Sequence, residues 1–504
     1  MNRTTLSLIA VGTALAAVTG FAALNAPDAS TDGGAKTAAE RPVERSSLLC
    51  PAPSSSDLAE TTYTSFTPKS AKSAGGEGKG AAELRPATRE SDEGGKDKKD
   101  KDDKGKRDKK VPAPEAPGKP VTGEAVGAGA PALVGSADGA LAPGWVTQQT
   151  TTVAAGAGRG VQGVACSAPD TDFWFPGTST AKDRSDYVHL TNPDDTAAVV
   201  NIELYGPEGA LKSEAGDEIP VPPHSSVPVL LSTLADEPET NLTAHVTART
   251  GRVGASVQAA DDKLGGDWLA ASADPSGSVV LPGIPKDATA VRLVAFAPGE
   301  DDADLKVSLA GANGSIVPAG HETLHVKSGM TAAVDLGNVT RGEAGSLVLT
   351  PTEESAPIVA ALRVTRGKGA KQETAFIPAT SPVGNRATAA DNRAKGSTLS
   401  LVAPGKTAAK VRVTASAGSG GGTPKTETYT IKAGTTMAVE PPVPDGLKGA
   451  YALTVEHVSG TVYAARTLEL PEDGVPMFTV QTLPDDRGTV GVPEAEQELS
   501  VLQD

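Results

Sequence analysis

The sequence predicts an all-β protein made of tandem β-sandwich repeats of the immunoglobulin-like kind. Two observations carry this prediction: a unit of about 105 residues recurs three times, and its apolar residues alternate with polar ones at a period of two. Composition agrees, because glycine (56) and proline (39) are frequent whereas aromatic residues make up only 3% of the 504 residues. Such a composition is typical of many short strands with small-residue cores, joined by turns.

The repeat is clearest in a strand–turn–strand block that begins at Tyr187, Val291 and Ser397. The three copies read YVHLTNPDDTAAVVNIELYGPEG, VRLVAFAPGEDDADLKVSLAGANG and STLSLVAPGKTAAKVRVTASAGSG. Each repeat offers seven or eight short strands, the number expected for a sandwich of about 100 residues. Neither amphipathic helices nor βαβ spacing is present. The predicted limits are residues 173–277, 278–384 and 385–485 for repeats 1, 2 and 3, with an acidic tail at 486–504.

An apolar run at residues 6–24, preceded by Arg3, predicts export. Its length lies between that of a signal-peptide core and that of a membrane span. A cleaved signal peptide and a retained membrane anchor over residues 1–26 therefore both stay open. A buried core helix is disfavoured, because the polar, proline-rich stretch that follows offers it no partner. In either case we expect an extracytoplasmic protein, secreted or anchored at the cell envelope, whose N-terminal segment contacts the membrane.

Two cysteines, Cys50 and Cys166, are predicted to form a disulfide, as exported proteins favour. Lipid modification of Cys50 is one alternative, although this residue lies far beyond the apolar run. Two unpaired buried thiols are the other. After a linker at residues 27–42, the bond would join residues 43–68 to 141–172 in one small β unit.

Residues 69–140 are predicted to be a disordered low-complexity insert in that unit. They are dominated by glycine, alanine, lysine, glutamate and proline, and residues 96–110 carry nine basic and five acidic side chains. A segment without large apolar residues cannot offset the entropy lost on ordering. The charged run could contact anionic wall polymer or lipid headgroups, but a solvated linker is the favoured interpretation.

The string HETLH at residues 321–325 matches the HExxH signature of zinc proteases. The repeat places it opposite GDEIP and TETYT, which contain no histidine. The alternation there predicts a strand with Leu324 and Val326 inward and His325 in solvent, and His321 at the strand edge. Histidines four residues apart on a strand lie about 13 Å apart, too far to share one zinc ion. We therefore predict two surface histidines and no metal site.

Other chemistry is sparse. Residues 158–163, GRGVQG, match GxGxxG, but no phosphate-binding helix can follow them, and His189 is expected on the outward face of its strand. The formal net charge of −16 disfavours nucleic acid as a partner. We predict no catalytic residues and no cofactor.

One aromatic cluster, DTDFWFPGTSTAKDRSDYVHL, stands out in this chain. Its rings could stack on sugars, which makes Trp174, Phe175 and Tyr187 candidate glycan-binding residues. The favoured alternative is that they fill the junction between the disulfide-closed unit and repeat 1, since large core residues are so few. Trp268 is likewise expected in a core.

The segments VERSSLLCPAP, a cysteine followed by DTDFWFPG, and LTNPDDTAAVVNIELYGPEG resemble an uncharacterised actinobacterial secreted-protein family, domain of unknown function 5719. The resemblance covers about residues 43–483 and rests on structural motifs. It implies an exported envelope protein whose genes commonly lie near a large membrane glycosyltransferase and a WhiB-type regulator. By that association alone it suggests a part in envelope polysaccharide assembly or display, and it carries over no catalytic residue.

These observations predict a non-enzymatic binding or scaffolding protein of the cell envelope. The expected partner is cell-wall polysaccharide or an envelope glycosyltransferase, and a carbohydrate-binding accessory of that enzyme is the alternative. A cryptic zinc hydrolase is the least favoured function. The oligomeric state and the arrangement of the repeats are left open.

Overall fold

The computed structural model describes residues 39–69, 79–89, 111–353 and 356–492. These ranges hold antiparallel sheets and three short 3-10 turns, with no α-helix among them, so the predicted all-β class is confirmed. The turns are Gly139–Leu141, Leu231–Leu234 and Gly369–Lys371. No helix in the described part of the chain is long and apolar enough to cross a membrane. The apolar run at 6–24 and the charged run at 96–110 lie outside the described residues.

The N-terminal unit has two sheets that enclose a small core. Their strand orders are β2-β7-β4 and β9-β8-β3-β6. Leu84, Leu133 and Trp145 pack with the two cysteines between them. The strands are β2 Arg45–Cys50, β3 Ala59–Phe66, β4 Ala82–Pro86, β5 Thr88–Arg89, β6 Val121–Val126, β7 Leu133–Asp138, β8 Val146–Val153 and β9 Gly160–Ala165.

The prediction that all of residues 69–140 are disordered is wrong, because β4, β5, β6 and β7 lie within that range. Two of its few large apolar residues, Leu84 and Leu133, are each only 1% exposed. The strands gain main-chain hydrogen bonds from partners that flank the low-complexity stretch, β2 for β7 and β3 for β6. Sparse apolar residues therefore suffice where an existing sheet supplies the partner strand.

Repeat 1 places β10-β16-β12-β13 in one sheet, with β14 also paired to β12, and β18-β17-β11-β15 in the other. The short β5 of the N-terminal unit adds to β15 in parallel. The strands are β10 Asp172–Thr178, β11 Arg184–Thr191, β12 Ala198–Gly206, β13 Gly209–Leu211, β14 Ile219–Val221, β15 Ser225–Leu230, β16 Leu242–Thr250, β17 Gly254–Asp261 and β18 Gly265–Leu269.

Repeat 2 has the sheets β19-β25-β21-β22, with β23 also paired to β21, and β27-β26-β20-β24. Its strands are β19 Val279–Ile284, β20 Ala288–Phe296, β21 Ala303–Ala310, β22 Ser315–Ile316, β23 Thr323–Val326, β24 Thr331–Asp335, β25 Gly345–Pro351, β26 Val359–Arg366 and β27 Glu373–Pro378.

Repeat 3 has the sheets β28-β35-β30-β31-β34, with β32 also paired to β30, and β37-β36-β29-β33. Its strands are β28 Arg386–Asn392, β29 Ser397–Ala403, β30 Ala409–Gly418, β31 Gly421–Thr423, β32 Lys425–Ile431, β33 Thr435–Val439, β34 Asp445–Lys448, β35 Tyr451–Ser459, β36 Tyr463–Glu469 and β37 Phe478–Thr482. Separately, β1 Ala39–Pro42 and β38 Thr489–Val492 pair in a two-stranded sheet.

One strand order recurs in all four units. In each unit, the first strand pairs with the third strand from the end, as β2 does with β7 and β10 does with β16. The last strand pairs with the strand before it, and both belong to the other sheet. The N-terminal unit, predicted as a small separate element, therefore has the topology of the three repeats. Its divergent sequence and the long interruption after β5 hide this relation from a comparison of the letters.

The four units close into a ring through their last strands. β9 contacts β18, β18 contacts β27, β27 contacts β37, and β37 contacts β9. At the centre lies the fully buried carboxylate of Asp267. Its Oδ1 accepts hydrogen bonds from the Gly163 amide (3.0 Å) and the Thr479 hydroxyl (3.1 Å). Burial raises the pKa of Asp267 well above its ordinary value. The hydrogen bonds to this carboxylate, one of them from the Phe376 amide, lower the pKa but do not outweigh burial.

A disulfide between Cys50 and Cys166 confirms the predicted pairing, with a Cα–Cα distance of 4.4 Å. The bond joins the end of β2 to the residue after β9. Main-chain hydrogen bonds between Leu49 and Ser167 run in both directions beside it. The disulfide thus ties the first strand of the N-terminal unit, β2, to the end of β9, the strand through which this unit takes part in the ring.

Candidate functional site

The structure buries two of the three predicted glycan-binding rings. Trp174 is 8% exposed and stacks on His245, with ring centroids 3.5 Å apart, and on Phe296 of repeat 2. Phe175 lies fully buried in the core of repeat 1, and Tyr187 is half-buried on the outer face of β11. Neither Trp174 nor Phe175 offers a free face to a sugar, because a chain with so few rings uses them in cores. The junction that Trp174 fills lies between repeats 1 and 2, not at the disulfide-closed unit as expected.

Trp268 and His189 are both buried, although only Trp268 was expected to be. Trp268 is buried, as expected of a core residue. His189 turns away from the core residues Val188 and Leu190, as predicted, yet it is buried as well. Its ring packs edge-on against Trp268, with centroids 5.1 Å apart. At this position the outer face of β11 is therefore covered by the indole of Trp268, from β18 of the same sheet, instead of facing solvent.

The zinc-protease string lies on a strand, as predicted. β23 covers Thr323–Val326, with Leu324 and Val326 buried and His325 exposed. The His325 ring contacts two aspartates, Nδ1 to Asp304 Oδ1 at 2.8 Å and Nε2 to Asp302 Oδ2 at 3.4 Å. Across the described ranges, no three His, Cys, Asp or Glu side chains are grouped so that they could hold a metal ion.

A cavity of about 280 Å³ lies between repeats 1 and 2. Its wall includes four cationic and two acidic side chains. The remaining wall contributes small, hydroxyl and amide side chains. The cations are Arg184, Lys263, Arg292 and Arg363, the acids are Asp183 and Asp261, and the neutral polar residues are Ser179, Thr240, Asn241 and Gln372.

Two of these arginines share the outer face of one sheet. Arg292 on β20 is directly opposite Arg363 on β26. On both strands the neighbouring residues, such as Leu293 and Leu362, are buried in the core of repeat 2. The period of two therefore turns both guanidinium groups away from that core, and toward the cavity.

The cavity arginines differ in their partners. Arg184 makes two hydrogen bonds to the buried carboxylate of Asp186, at 2.9 and 2.7 Å. Arg292 donates to Asp335 at 3.1 Å. The guanidinium of Arg363 makes no hydrogen bond or ion pair with any other described residue. Burial lowers the pKa of Arg363, and the like charges of Arg184 and Arg292 lower it further, against the carboxylates of Asp261 and Asp186, which raise it.

One of the two acidic side chains of the cavity, Asp261, already accepts main-chain hydrogen bonds. Oδ1 of Asp261 accepts hydrogen bonds from the amides of Lys263 and Leu264, at 2.8 and 2.9 Å. Its carboxylate lies at the end of β17 and is 7% exposed. The cavity therefore combines an arginine with free donors and carboxylate oxygens that can accept. A guanidinium with free donors can bind a carboxylate or a phosphate through paired hydrogen bonds.

One family model matches more than half of the chain. The model described as a family of unknown function, DUF5719, covers residues 121–442. The chain belongs to that family. The match begins with β6 and extends into repeat 3, so it includes both walls of the cavity. No curated protein and no solved structure matches the chain significantly.

The arginine pair was missed at the level of sequence, although the repeat holds a signal for it. The corresponding opposed pairs are Tyr187 with Gln258 in repeat 1 and Thr398 with Thr467 in repeat 3. Repeat 2 alone of these three has two cations there. An alignment of repeats that asked where charge replaces neutral residues on the outer face would have singled out both positions.

Proposed function

We propose that this protein is an exported, non-enzymatic binding and scaffolding protein of the cell envelope, which binds anionic groups of envelope polysaccharide in the cavity between repeats 1 and 2. The observation that carries the proposal is the guanidinium of Arg363, which faces a cavity beside a second arginine and makes no hydrogen bond or close ion pair with a described residue. A buried or half-buried cation is costly until an anion pairs with it.

The architecture supports a scaffold. We infer that the four paired-sheet units are β-sandwiches of the immunoglobulin-like kind, and that ring closure makes them one rigid body. The disulfide is consistent with a location outside the cytoplasm, where such bonds persist. Export, by a cleaved signal or a retained anchor at residues 1–26, remains part of the proposal.

The proposed partners are cell-wall polysaccharide and, as the alternative, the membrane glycosyltransferase to which the chain would be a carbohydrate-binding accessory. The cavity suits either arrangement, since an accessory would hold the same polymer. A zinc hydrolase is the least favoured function. It would require stoichiometric bound zinc that disappears in His321→Ala.

The test is cosedimentation of the purified full chain with isolated envelope polysaccharide, with polygalacturonate as a defined polyanion and dextran as a neutral polymer. We expect binding to the envelope material and the polyanion, weakened by salt because charges are screened, and none to dextran. A wild-type protein that binds neither anionic material, at low or moderate salt, would overturn the proposal.

A further inference from the structure

The opposed arginines carry a cost that the fold does not require. Like charges directly opposite each other on neighbouring strands destabilise a sheet. At the same place repeats 1 and 3 have neutral pairs, and both form the same sheet order. Asp335 offsets the charge of Arg292 through an ion pair. Arg363 is attracted by the carboxylates of Asp261 and Asp186 but makes no hydrogen bond to either of them. The hydrogen-bond donors of Arg363 are thus left free for a ligand.

The opposite wall of the cavity limits what the ligand can be. Asp183 and Asp261 place two carboxylates in the lining, beside the amides of Asn241 and Gln372. An inorganic anion bound to Arg363 would be repelled by those carboxylates, because it carries negative charge and no hydrogen-bond donors for them. A ligand that brings one negative group for the arginines and several hydroxyl donors for the acids satisfies both walls.

The size of the cavity limits the ligand as well. About 280 Å³ falls just below the range of roughly 300–1,000 Å³ that drug-sized ligands occupy. Room for one sugar ring follows, and not for an extended oligosaccharide. The apolar wall atoms of Leu264 and Val294 suit the C–H face of such a ring.

We propose that the cavity binds a single sugar acid, of the hexuronate class, with its carboxylate on Arg363 and Arg292 and its hydroxyls toward Asp261 and Asn241. This ligand class deepens the proposed function and rests on it, since the sugar acid would be a unit of the anionic polysaccharide. A chain end and a free monomer present the same chemistry.

The experiment is isothermal titration of the full chain with four probes: glucuronate, glucose, acetate and inorganic phosphate. Glucuronate has both the carboxylate and the hydroxyls, glucose only the hydroxyls, and acetate only the carboxylate. The variant is Arg363→Gln. The matched control is Arg412→Gln, which removes the same charge from an exposed position on β30 of repeat 3, where Arg412 pairs with Glu456 at 2.8 Å. Melting curves of both variants test that they are folded.

We expect glucuronate to bind the wild type and the control more tightly than any other probe, and to lose about tenfold or more in affinity in Arg363→Gln, as expected for a lost charged hydrogen-bond pair. If phosphate or acetate bound as tightly as glucuronate, the proposed ligand class would be overturned and the cavity would be a general anion site. Glucuronate binding unchanged in Arg363→Gln, or absent in a wild type that still sediments with envelope polysaccharide, would overturn the cavity as the site, and only polysaccharide binding elsewhere on the chain would stand.

Discussion

The N-terminal unit and repeat 2 have the same strand order but reach stability differently. The main core cluster of repeat 2 has 28 buried residues, three of them from β36 and β37 of repeat 3, whereas that of the N-terminal unit has nine, two of them the bonded cysteines. On β8 five consecutive polar residues, Thr147 to Thr151, are buried. Hydroxyl pairs join β8 to β3, from Thr61 to Thr151 (2.9 Å) and from Ser65 to Thr147 (2.8 Å). A covalent bond and buried hydrogen bonds thus take over where apolar residues are few.

This comparison is tested most strongly by removing the disulfide in Cys50→Ser/Cys166→Ser. The bond closes a loop of more than 100 residues, since the cysteines are 116 apart, and such a loop is worth about 4–5 kcal/mol in the chain-entropy model. We expect a loss of about 2–5 kcal/mol, with the N-terminal unit unfolding first. Urea unfolding and limited proteolysis measure this. If repeat 2 were cleaved before the N-terminal unit, the comparison would fail.

The second test removes the carboxylate at the centre of the ring, in Asp267→Ala. The Gly163 amide and the Thr479 hydroxyl would be left buried without their acceptor, at about 1–3 kcal/mol for each such group. Because these donors come from the N-terminal unit and repeat 3, we expect the N-terminal unit to melt separately from the repeats. Calorimetry measures the number of transitions. Asp267→Asn keeps an acceptor oxygen and serves as the milder control.

The third test uses pH to probe the contact between the N-terminal unit and repeat 2. Glu373 pairs with Arg159 at 2.9 Å, and burial raises the pKa of Glu373 from 4.5 to about 7 despite that arginine. A raised carboxyl pKa means that the folded chain keeps a proton that the unfolded chain releases. The contribution to stability is therefore complete below about pH 4.5 and is lost as the pH rises to about 7.

We expect wild type to lose on the order of 2 kcal/mol more than Glu373→Gln between those pH values. The measurement is urea unfolding at intervals across the window, at constant ionic strength. Parallel stability curves for the two proteins would show that Glu373 is not the titrating group.

The smallest expected effect comes from Thr61→Val, which leaves the Thr151 hydroxyl in the N-terminal unit without its partner. We expect a loss of about 1 kcal/mol, typical of one buried hydrogen bond. Thr151→Val in addition should cost less than the sum of the two single changes, because it removes the orphaned hydroxyl. Additive losses in this double-mutant cycle would mean that the hydroxyl pair does not stabilise the unit.

Prediction from sequence succeeded where the signal was local. The alternation around Leu324 and Val326 gave a strand with His325 outward, and the structure has that strand. The pairing of Cys50 with Cys166 needed only their number and an expectation of export. Prediction failed at Leu84 and Leu133, since each strand holds too few apolar residues to be recognised without the partner that stabilises it. Prediction also missed the junction between repeats 1 and 2, because the two aromatic side chains that stack there, Trp174 and Phe296, belong to different repeats.

The sequence by itself determined the all-β class, the repeat of about 105 residues and the covalent link, because alternation, turns and cysteine content act over a few residues or by simple count. Only the tertiary structure decided that a fourth unit closes the ring, that Asp267 lies at its centre, and that Arg292 and Arg363 face a shared cavity. The physical reason is that these features depend on which outer faces of the sheets meet, and a pattern with a period of two specifies the inner face while leaving the outer one free.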